Sequence, residues 1–192
     1  MAGAGQTSYL ASDPSSEETF SQVQRWMPSC VDDHSVCRLL DSTCLPLRVI
    51  DVGTRGTGGA YSNPFLSVGA NRPGRYATLS YRWGNMCFTT TTSTIEQRKT
   101  SMPLSSTPQT FQTAIEITRR LNIRYLWIDA LRIIQELLQH WQEQSAIMGQ
   151  IYANSWLNLS VSAATSPGSG FLKQRNLRNP QLPPSIPSRR FY

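Results

Sequence analysis

The stretch Arg124-Tyr-Leu-Trp-Ile-Asp129, followed by Ala-Leu-Arg-Ile-Ile-Gln135, decides the fold of this chain. Residues 125–128 are all apolar or aromatic, and the run is too short for an independent helix, so it predicts a strand buried on both faces. Asp129 then lies where a central strand leaves the sheet. Ligands bind at this carboxyl end in open α/β sheets, so Asp129 is either a functional acid or the N-cap of the next helix.

A second strand and a helix complete a βαβ unit with the first strand. Residues 76–81 predict the strand, and residues 107–121 predict an amphipathic helix whose apolar side chains recur at helical spacing. Parallel strands end at one edge of a sheet, so the turn after residue 81 should meet Asp129 in a crevice. The crevice predicted in this way is formed by Ser80, Arg82, Trp83 and Asp129. Further candidate binding or motif residues are Tyr81, Gly84, Trp127, Gln135 and Trp141. The alternative is that Trp83 and Gly84 only pack and turn.

Two more strands and a long helix extend the sheet. Residues 45–52 predict a buried strand, and residues 156–163 alternate in polarity as an edge strand does. Between them, Trp141, Gln144, Met148 and Ile151 recur on one face of a helix, which places Gln144 inward and Glu143 in solvent. We therefore predict an α/β fold with a doubly wound, mostly parallel sheet.

Length and charge restrict the class of protein. A chain of 192 residues is one domain with tails, and its net charge of +6 is concentrated in a basic, proline-rich tail at residues 173–192. The rest is nearly neutral, so we expect no nucleic-acid partner. No secretion signal and no membrane span are predicted, which favours a cytoplasmic protein with reduced cysteines.

The N-terminal region, residues 1–75, contains three weaker signals. Ser15 and Glu18 predict a capping box for a helix that reaches about Cys30. The glycines of residues 53–59 indicate a connector, because no helix N-terminus follows to form a phosphate cradle. Four ligand-type residues are close in sequence: Cys30, His34, Cys37 and Cys44. Zinc is one interpretation, but the spacing is compressed and favours small buried thiols with a surface histidine.

Four blocks of sequence carry a resemblance to a known family. They are Tyr76-Ala-Thr-Leu-Ser-Tyr-Arg-Trp-Gly84, Thr110-Phe-Gln-Thr-Ala-Ile115, Tyr125-Leu-Trp-Ile-Asp-Ala-Leu131 with Ile133-Ile-Gln135, and Met148-Gly-Gln-Ile-Tyr-Ala-Asn-Ser155. In this order and spacing, residues 76–172 resemble the fungal heterokaryon-incompatibility (HET) domain. The lead-in helix with Cys30, His34 and Cys37 is also similar to that family.

The resemblance implies a module for self/non-self recognition that triggers regulated cell death through contacts with other incompatibility or signalling proteins, or by self-association. It also implies a TIR-like fold. Some TIR domains cleave NAD with a glutamate, so an NAD glycohydrolase is the alternative function, with NAD as substrate and no resident cofactor. That step is an analogy between folds.

This chain departs from the family pattern at three positions. Arg132 replaces a cysteine, His140 replaces an aspartate before Trp141, and Gln144 occupies the position of a glutamate. We expect Asp129 to pair with Arg132, since the two lie one helical turn apart. The amide of Gln144 predicts weak or absent NAD cleavage, restored, if at all, by Gln144→Glu. With no long C-terminal region after residue 192, a non-functional truncated paralogue is a third interpretation.

Overall fold

The computed structural model describes residues 11–38, 43–69, 72–83, 88–134, 142, 144–161, 170–172 and 174. Its helices are α1 (Glu17–Asp33), α2 (Ser35–Arg38), α3 (Ile95–Thr100), α4 (Gln109–Arg120), α5 (Asp129–Arg132) and α6 (Met148–Ala153), with a 3-10 turn at Leu104–Ser106. Its strands are β1 (Arg48–Asp51), β2 (Phe65–Val68), β3 (Tyr76–Ser80), β4 (Tyr125–Trp127) and β5 (Leu157–Ser160). The α/β class is as predicted.

The five strands form one mixed sheet in the order β2-β1-β4-β3-β5. β3 is parallel to both β4 and β5, whereas β1 is antiparallel to both β2 and β4. The expected mostly parallel sheet is therefore found only at β4-β3-β5. The prediction is wrong about the direction of β1. Its apolar composition gives no information on direction, because a strand buried on both faces has the same pattern in either direction.

β4 is the central strand, and the side chains of β1, β3 and β4 alternate between the two faces of the sheet. Ile50, Leu79 and Leu126 point to one face, where they form a core with α1 and α4. Val49, Tyr76 and Trp127 point to the other face and pack against Ile151 of α6. Helices thus cover both faces, which explains why residues 125–128 are apolar throughout. Burial of each large side chain stabilises the fold by about 1.5–3 kcal/mol.

Helix α4 connects β3 to β4, as the sequence predicts. Its inward residues are completely or nearly completely buried: Phe111, Ala114, Ile115, Thr118 and Leu121. Thr107 is not the N-cap, because its hydroxyl donates to the Leu104 carbonyl, and Pro108 precedes the first turn. Asn122 then adopts a φ of 57°, a left-handed conformation that asparagine tolerates. This residue turns the chain directly from α4 into the central strand.

Helix α1 packs on the same face as α4. Its N-cap is Ser16, one residue later than predicted, because the Ser15 hydroxyl is bonded to Asp13. Apolar side chains recur at helical spacing from Phe20 to Cys30, which predicts one buried stripe. Phe20 is buried, but Trp26, which belongs to that stripe, is 50% exposed, so the prediction is wrong at that position. None of the helices in the described part of the chain is both long enough and apolar enough to cross a membrane.

The glycine-rich segment forms a folded connector between β1 and β2. Gly53 has a φ of 87°, and a Cβ atom there would lie 2.3 Å from the Ser62 carbonyl oxygen. An antiparallel bridge joins Arg55 to Tyr61, and the next element is β2. A strand, not a helix, follows these glycines, so no helix N-terminus faces them. β2 itself was not predicted, because its four residues, Phe65-Leu-Ser-Val68, are a short run without the polar and apolar alternation of an edge strand.

Candidate functional site

Asp129 lies at the carboxyl end of β4, beside the end of β3. Its Oδ2 atom accepts a hydrogen bond of 2.7 Å from the indole Nε1 of Trp83, and its Oδ1 atom accepts one of 2.7 Å from the N–H of Ala130. The N-cap of α5 is Ile128, so Asp129 is the first helical residue and not the cap. Because β3 and β4 are parallel, the turn after β3 meets Asp129 as predicted.

Burial controls the ionisation of this carboxyl group. Asp129 is only 9% exposed, and desolvation raises its pKa above the usual value. The hydrogen bonds from Trp83 and Ala130 oppose this shift but do not cancel it. The carboxylate is therefore a stronger base than an exposed aspartate, and a perturbed acid at a strand end is a candidate for function.

Two tyrosines line the same end of the sheet. Tyr81 packs edge-on against Phe111, with ring centroids 5.4 Å apart, and its buried hydroxyl has no hydrogen-bond partner among the described residues. Burial raises its pKa, and the nearby charge of Asp129 raises it further. Tyr152 donates to the Leu79 carbonyl at 3.3 Å. Burial, with a smaller effect of Asp129, raises the pKa of Tyr152 to about 12.

Other predicted crevice residues are placed differently. Ser80 ends β3, where its carbonyl accepts from the N–H of Val161, and Arg82 is exposed. Neither side chain makes a hydrogen bond to Asp129 in the described structure. Gly84, Gln135 and Trp141 lie outside the described residues, as does Glu143. The assembled part of the predicted crevice therefore consists of Asp129, Trp83 and Tyr81.

Arg132 and Gln144 form a second polar group. Both are buried, at 2% and 7% exposed, and the Nη2 atom of Arg132 donates to Oε1 of Gln144. The guanidinium carbon lies 5.6 Å from the ring centroid of Trp127. The Nε and Nη1 atoms have no hydrogen-bond partner among the described residues. The inward position of Gln144 agrees with its helical phase, and two of the three departures from the family pattern contact each other.

The predicted pairing of Arg132 with Asp129 is wrong. Trp127 belongs to the core under α6, whereas Trp83 packs against the core under α1 and α4. Asp129 accepts from Trp83 and Ala130, whereas Arg132 donates to Gln144 and lies over Trp127, so the two charged side chains make separate contacts. Desolvation and then the charge of Arg48 lower the pKa of Arg132 to about 10.

Arg48 was missed by the sequence analysis. Its Nη1 atom donates to the main-chain carbonyl of Arg132 at 3.0 Å, across 84 residues of sequence. A charged residue at the start of an apolar strand carries no local signal of this contact. The pairing follows only from β1 lying beside β4.

Three of the four ligand-type residues near the N-terminus meet at the junction of α1 and α2. The Sγ atoms of Cys30 and Cys37 are 3.4 Å apart, and Nδ1 of His34 lies 3.6 Å from Sγ of Cys30. Cys30 and His34 are exposed and Cys37 is half-buried, so the expectation of buried thiols is wrong. Cys44 is also exposed and is not part of this group. The hydrogen bond with Cys37 raises the pKa of Cys30.

A cleft of about 590 Å³ opens at the opposite end of the parallel strands. It is lined by Gln24, Met27, Pro28, Arg75, Leu121, Asn122, Ile123, Arg124, Tyr125 and Trp156. Tyr125 is the first residue of β4, whereas Asp129 follows the last, so this cleft and the buried carboxylate are separated by the length of the strand. The cleft does not contain the candidate acid.

The comparison with known protein families gives one finding. Residues 76–188 match the family model described as heterokaryon incompatibility protein (HET). The match includes Trp83, Asp129, Arg132 and Gln144 and begins after the cysteine and histidine cluster. No curated protein and no solved structure matches the chain significantly. The match covers more than half of the 192 residues, and the chain therefore belongs to the heterokaryon incompatibility family.

Proposed function

We propose that this chain is a HET module that acts in self/non-self recognition and regulated cell death through contacts with signalling proteins. Family membership supports the biological role. One observation favours contacts over catalysis: the side chains of both candidate residues already have hydrogen-bond partners within the chain. Asp129 is bound by Trp83 and Ala130, and Gln144 is bound by Arg132.

A hydrolytic site requires an acid or base that can reach a substrate. Asp129 is nearly inaccessible, and the amide of Gln144 has no charge and cannot act as a general acid or base at neutral pH. In a signalling module these buried groups have a different role. Asp129 joins the turn after β3 to α5, and Gln144 bonds Arg132 of α5. Together these contacts hold the carboxyl end of the sheet in one conformation for a partner.

The experiment is inducible expression of the whole chain in fungal cells, with viability as the readout. We expect loss of viability with the unmodified chain and at least partial rescue by Asp129→Asn, which keeps the shape but weakens the bond from Trp83. The control is Glu96→Gln on exposed α3, which should kill as the unmodified chain does. Equal killing by Asp129→Asn, with equal protein abundance, would contradict a role for this end of the sheet.

A TIR-like NAD glycohydrolase is the second candidate. It is favoured by one observation, a carboxylate of raised pKa beside an indole at the ends of parallel strands. Incubation of the purified chain with NAD tests it. We expect no nicotinamide release above a heat-denatured control. Release that is abolished by Asp129→Asn, but unchanged by Glu96→Gln, would favour the enzyme over the contact module.

A further inference from the structure

We infer that Cys30, His34 and Cys37 form a zinc-binding site at the junction of α1 and α2. Each contributes one ligand atom, and these three atoms all lie within 4.8 Å of one another. The cluster precedes residue 76, so it lies outside the segment that matches the HET family. The inference therefore rests on the geometry of these three residues and not on the family match.

The distances fit a tetrahedral ion. With Zn–S bonds of about 2.3 Å and Zn–N bonds of about 2.0–2.1 Å, ideal geometry separates two sulfurs by about 3.8 Å and a sulfur from a nitrogen by about 3.6 Å. The observed separations are 3.4 Å between the two Sγ atoms and 3.6 Å between Sγ of Cys30 and Nδ1 of His34. An ion placed among the three atoms would require only small rotations of exposed side chains.

The backbone holds the three residues in this arrangement. Cys30 is in the last turn of α1, and His34 is its C-cap, with its N–H bonded to the Cys30 carbonyl at 3.1 Å. The N–H of Cys37 in turn donates to the His34 carbonyl at 3.0 Å. Spacings of four and three residues along this continuous turn direct the side chains to one side. The ligands are thus already grouped before an ion arrives.

The donor set selects a borderline-soft metal. Two thiolates and one imidazole suit zinc and exclude calcium and magnesium, which prefer oxygen ligands. His34 Nδ1 also lies 3.1 Å from the Cys30 carbonyl oxygen, so an ion must replace this contact. In the described residues no fourth Cys, His, Asp or Glu joins the group. We assign the fourth position to water, which makes the site open to exchange.

The test uses the full chain, purified under reducing conditions, and zinc itself as the probe. After incubation with zinc and extensive dialysis, we expect about one zinc per chain by elemental analysis, as for three protein ligands and a water. Cobalt substitution should give the visible absorption and the thiolate charge-transfer band of a tetrahedral site. Zinc should also raise the melting temperature, because the folded turn holds the three ligands together and therefore binds zinc more tightly than the unfolded chain does.

Ligand variants and a matched control decide the assignment. Cys30→Ser, His34→Ala and Cys37→Ser should each weaken zinc binding by more than about tenfold. Their melting curves in metal-free buffer should match the unmodified chain, because Cys30 and His34 are exposed and Cys37 is half-buried. Cys44→Ser removes an exposed thiol outside the group and should retain the metal.

Three results would overturn the inference. One is a zinc content of the unmodified chain no higher than that of Cys30→Ser. A second is loss of zinc from Cys44→Ser as large as from the ligand variants. The third is a Cys30–Cys37 disulfide that persists, without metal, in protein purified under reducing conditions, as detected by mass spectrometry. The two sulfurs are close enough to form this bond on oxidation.

Discussion

Gln144→Glu is the most informative single substitution in this chain, because it places a carboxylate against the buried guanidinium of Arg132. The pKa of Arg132 falls from 12.5 to about 10. At about 1.4 kcal/mol per pKa unit, its environment disfavours the charged form by about 3 kcal/mol. Two of its nitrogens, Nε and Nη1, have no partner among the described residues. A carboxylate at position 144 supplies the missing counter-charge.

The expected net gain is smaller than 3 kcal/mol. A hydrogen bond to a charged group contributes about 1.5–3 kcal/mol, but the new carboxylate loses its own hydration, which offsets part of this. We expect the free energy of unfolding to rise by about 1–2 kcal/mol. In a chain of 192 residues, 1 kcal/mol corresponds to a melting shift of about 2–4 °C. Urea denaturation at pH 7 is the appropriate measurement.

A double-mutant cycle isolates the ion pair from other effects of the substitution. In an Arg132→Met background the same Gln144→Glu change should destabilise the protein, because the carboxylate is then buried without its cation. We expect an interaction energy of about 2 kcal/mol or more. If Gln144→Glu destabilises both backgrounds equally, Arg132 is not charged in the core or does not contact position 144, and the argument fails.

The contact between Arg132 and position 144 also changes the expectation for NAD cleavage. The sequence alone predicts that Gln144→Glu is the change that would restore activity. In the structure, Arg132 would neutralise the new carboxylate and hold it away from substrate. Nicotinamide release, if this position supports it, therefore requires Arg132→Cys together with Gln144→Glu. Release by Gln144→Glu alone would show that the ion pair does not form.

Three further predictions follow from the same contacts. The pKa of Asp129 is raised above 3.8, so its contribution to stability is complete below pH 3.8 and is lost as pH rises through the higher folded pKa. Asn does not titrate, so the stability of Asp129→Asn relative to the unmodified chain should rise over the same pH range, as measured by urea unfolding at a series of fixed pH values. Arg132→Met with Gln144→Leu replaces the polar pair with apolar side chains of similar volume. In thermal melts this double variant should be more stable by about 1 kcal/mol or unchanged, and a large loss of stability would mean that the pair is needed for folding. Tyr81→Phe removes a buried hydroxyl that has no hydrogen-bond partner among the described residues and should cost less than about 0.5 kcal/mol in the same assay. A larger loss would contradict this prediction.

Features that repeat along the chain were predictable from sequence. The stripe of α4 and the apolar run of β4 follow from periods that local geometry imposes on any chain. The meeting of Trp83 with Asp129 was also predictable, because parallel strands end at one edge. Each of these inferences needs only local pattern and one rule of topology.

Features that depend on tertiary contact were not predictable. Arg132 and Asp129 share a helical turn, yet the partner of the arginine is Gln144, 12 residues further along the chain. Arg48 approaches the same turn from a strand 84 residues away. Trp26 is exposed although it lies in an apolar stripe, and Cys30 is exposed although free cysteines are usually buried. Residue type predicts how buried a side chain is on average, whereas the burial and the partners of these residues depend on how the elements pack in the tertiary structure.

The short helix α5 has a mechanical consequence. Its four residues form a single turn, in which the N–H of Arg132 bonds the Ile128 carbonyl and that of Ile133 bonds the Asp129 carbonyl. Asp129 and Arg132 are therefore joined through one hydrogen-bonded backbone segment. Because the partners of Trp83 and Gln144 share this turn, we expect substitutions at Trp83 and Gln144 to show a non-zero interaction energy in a double-mutant cycle.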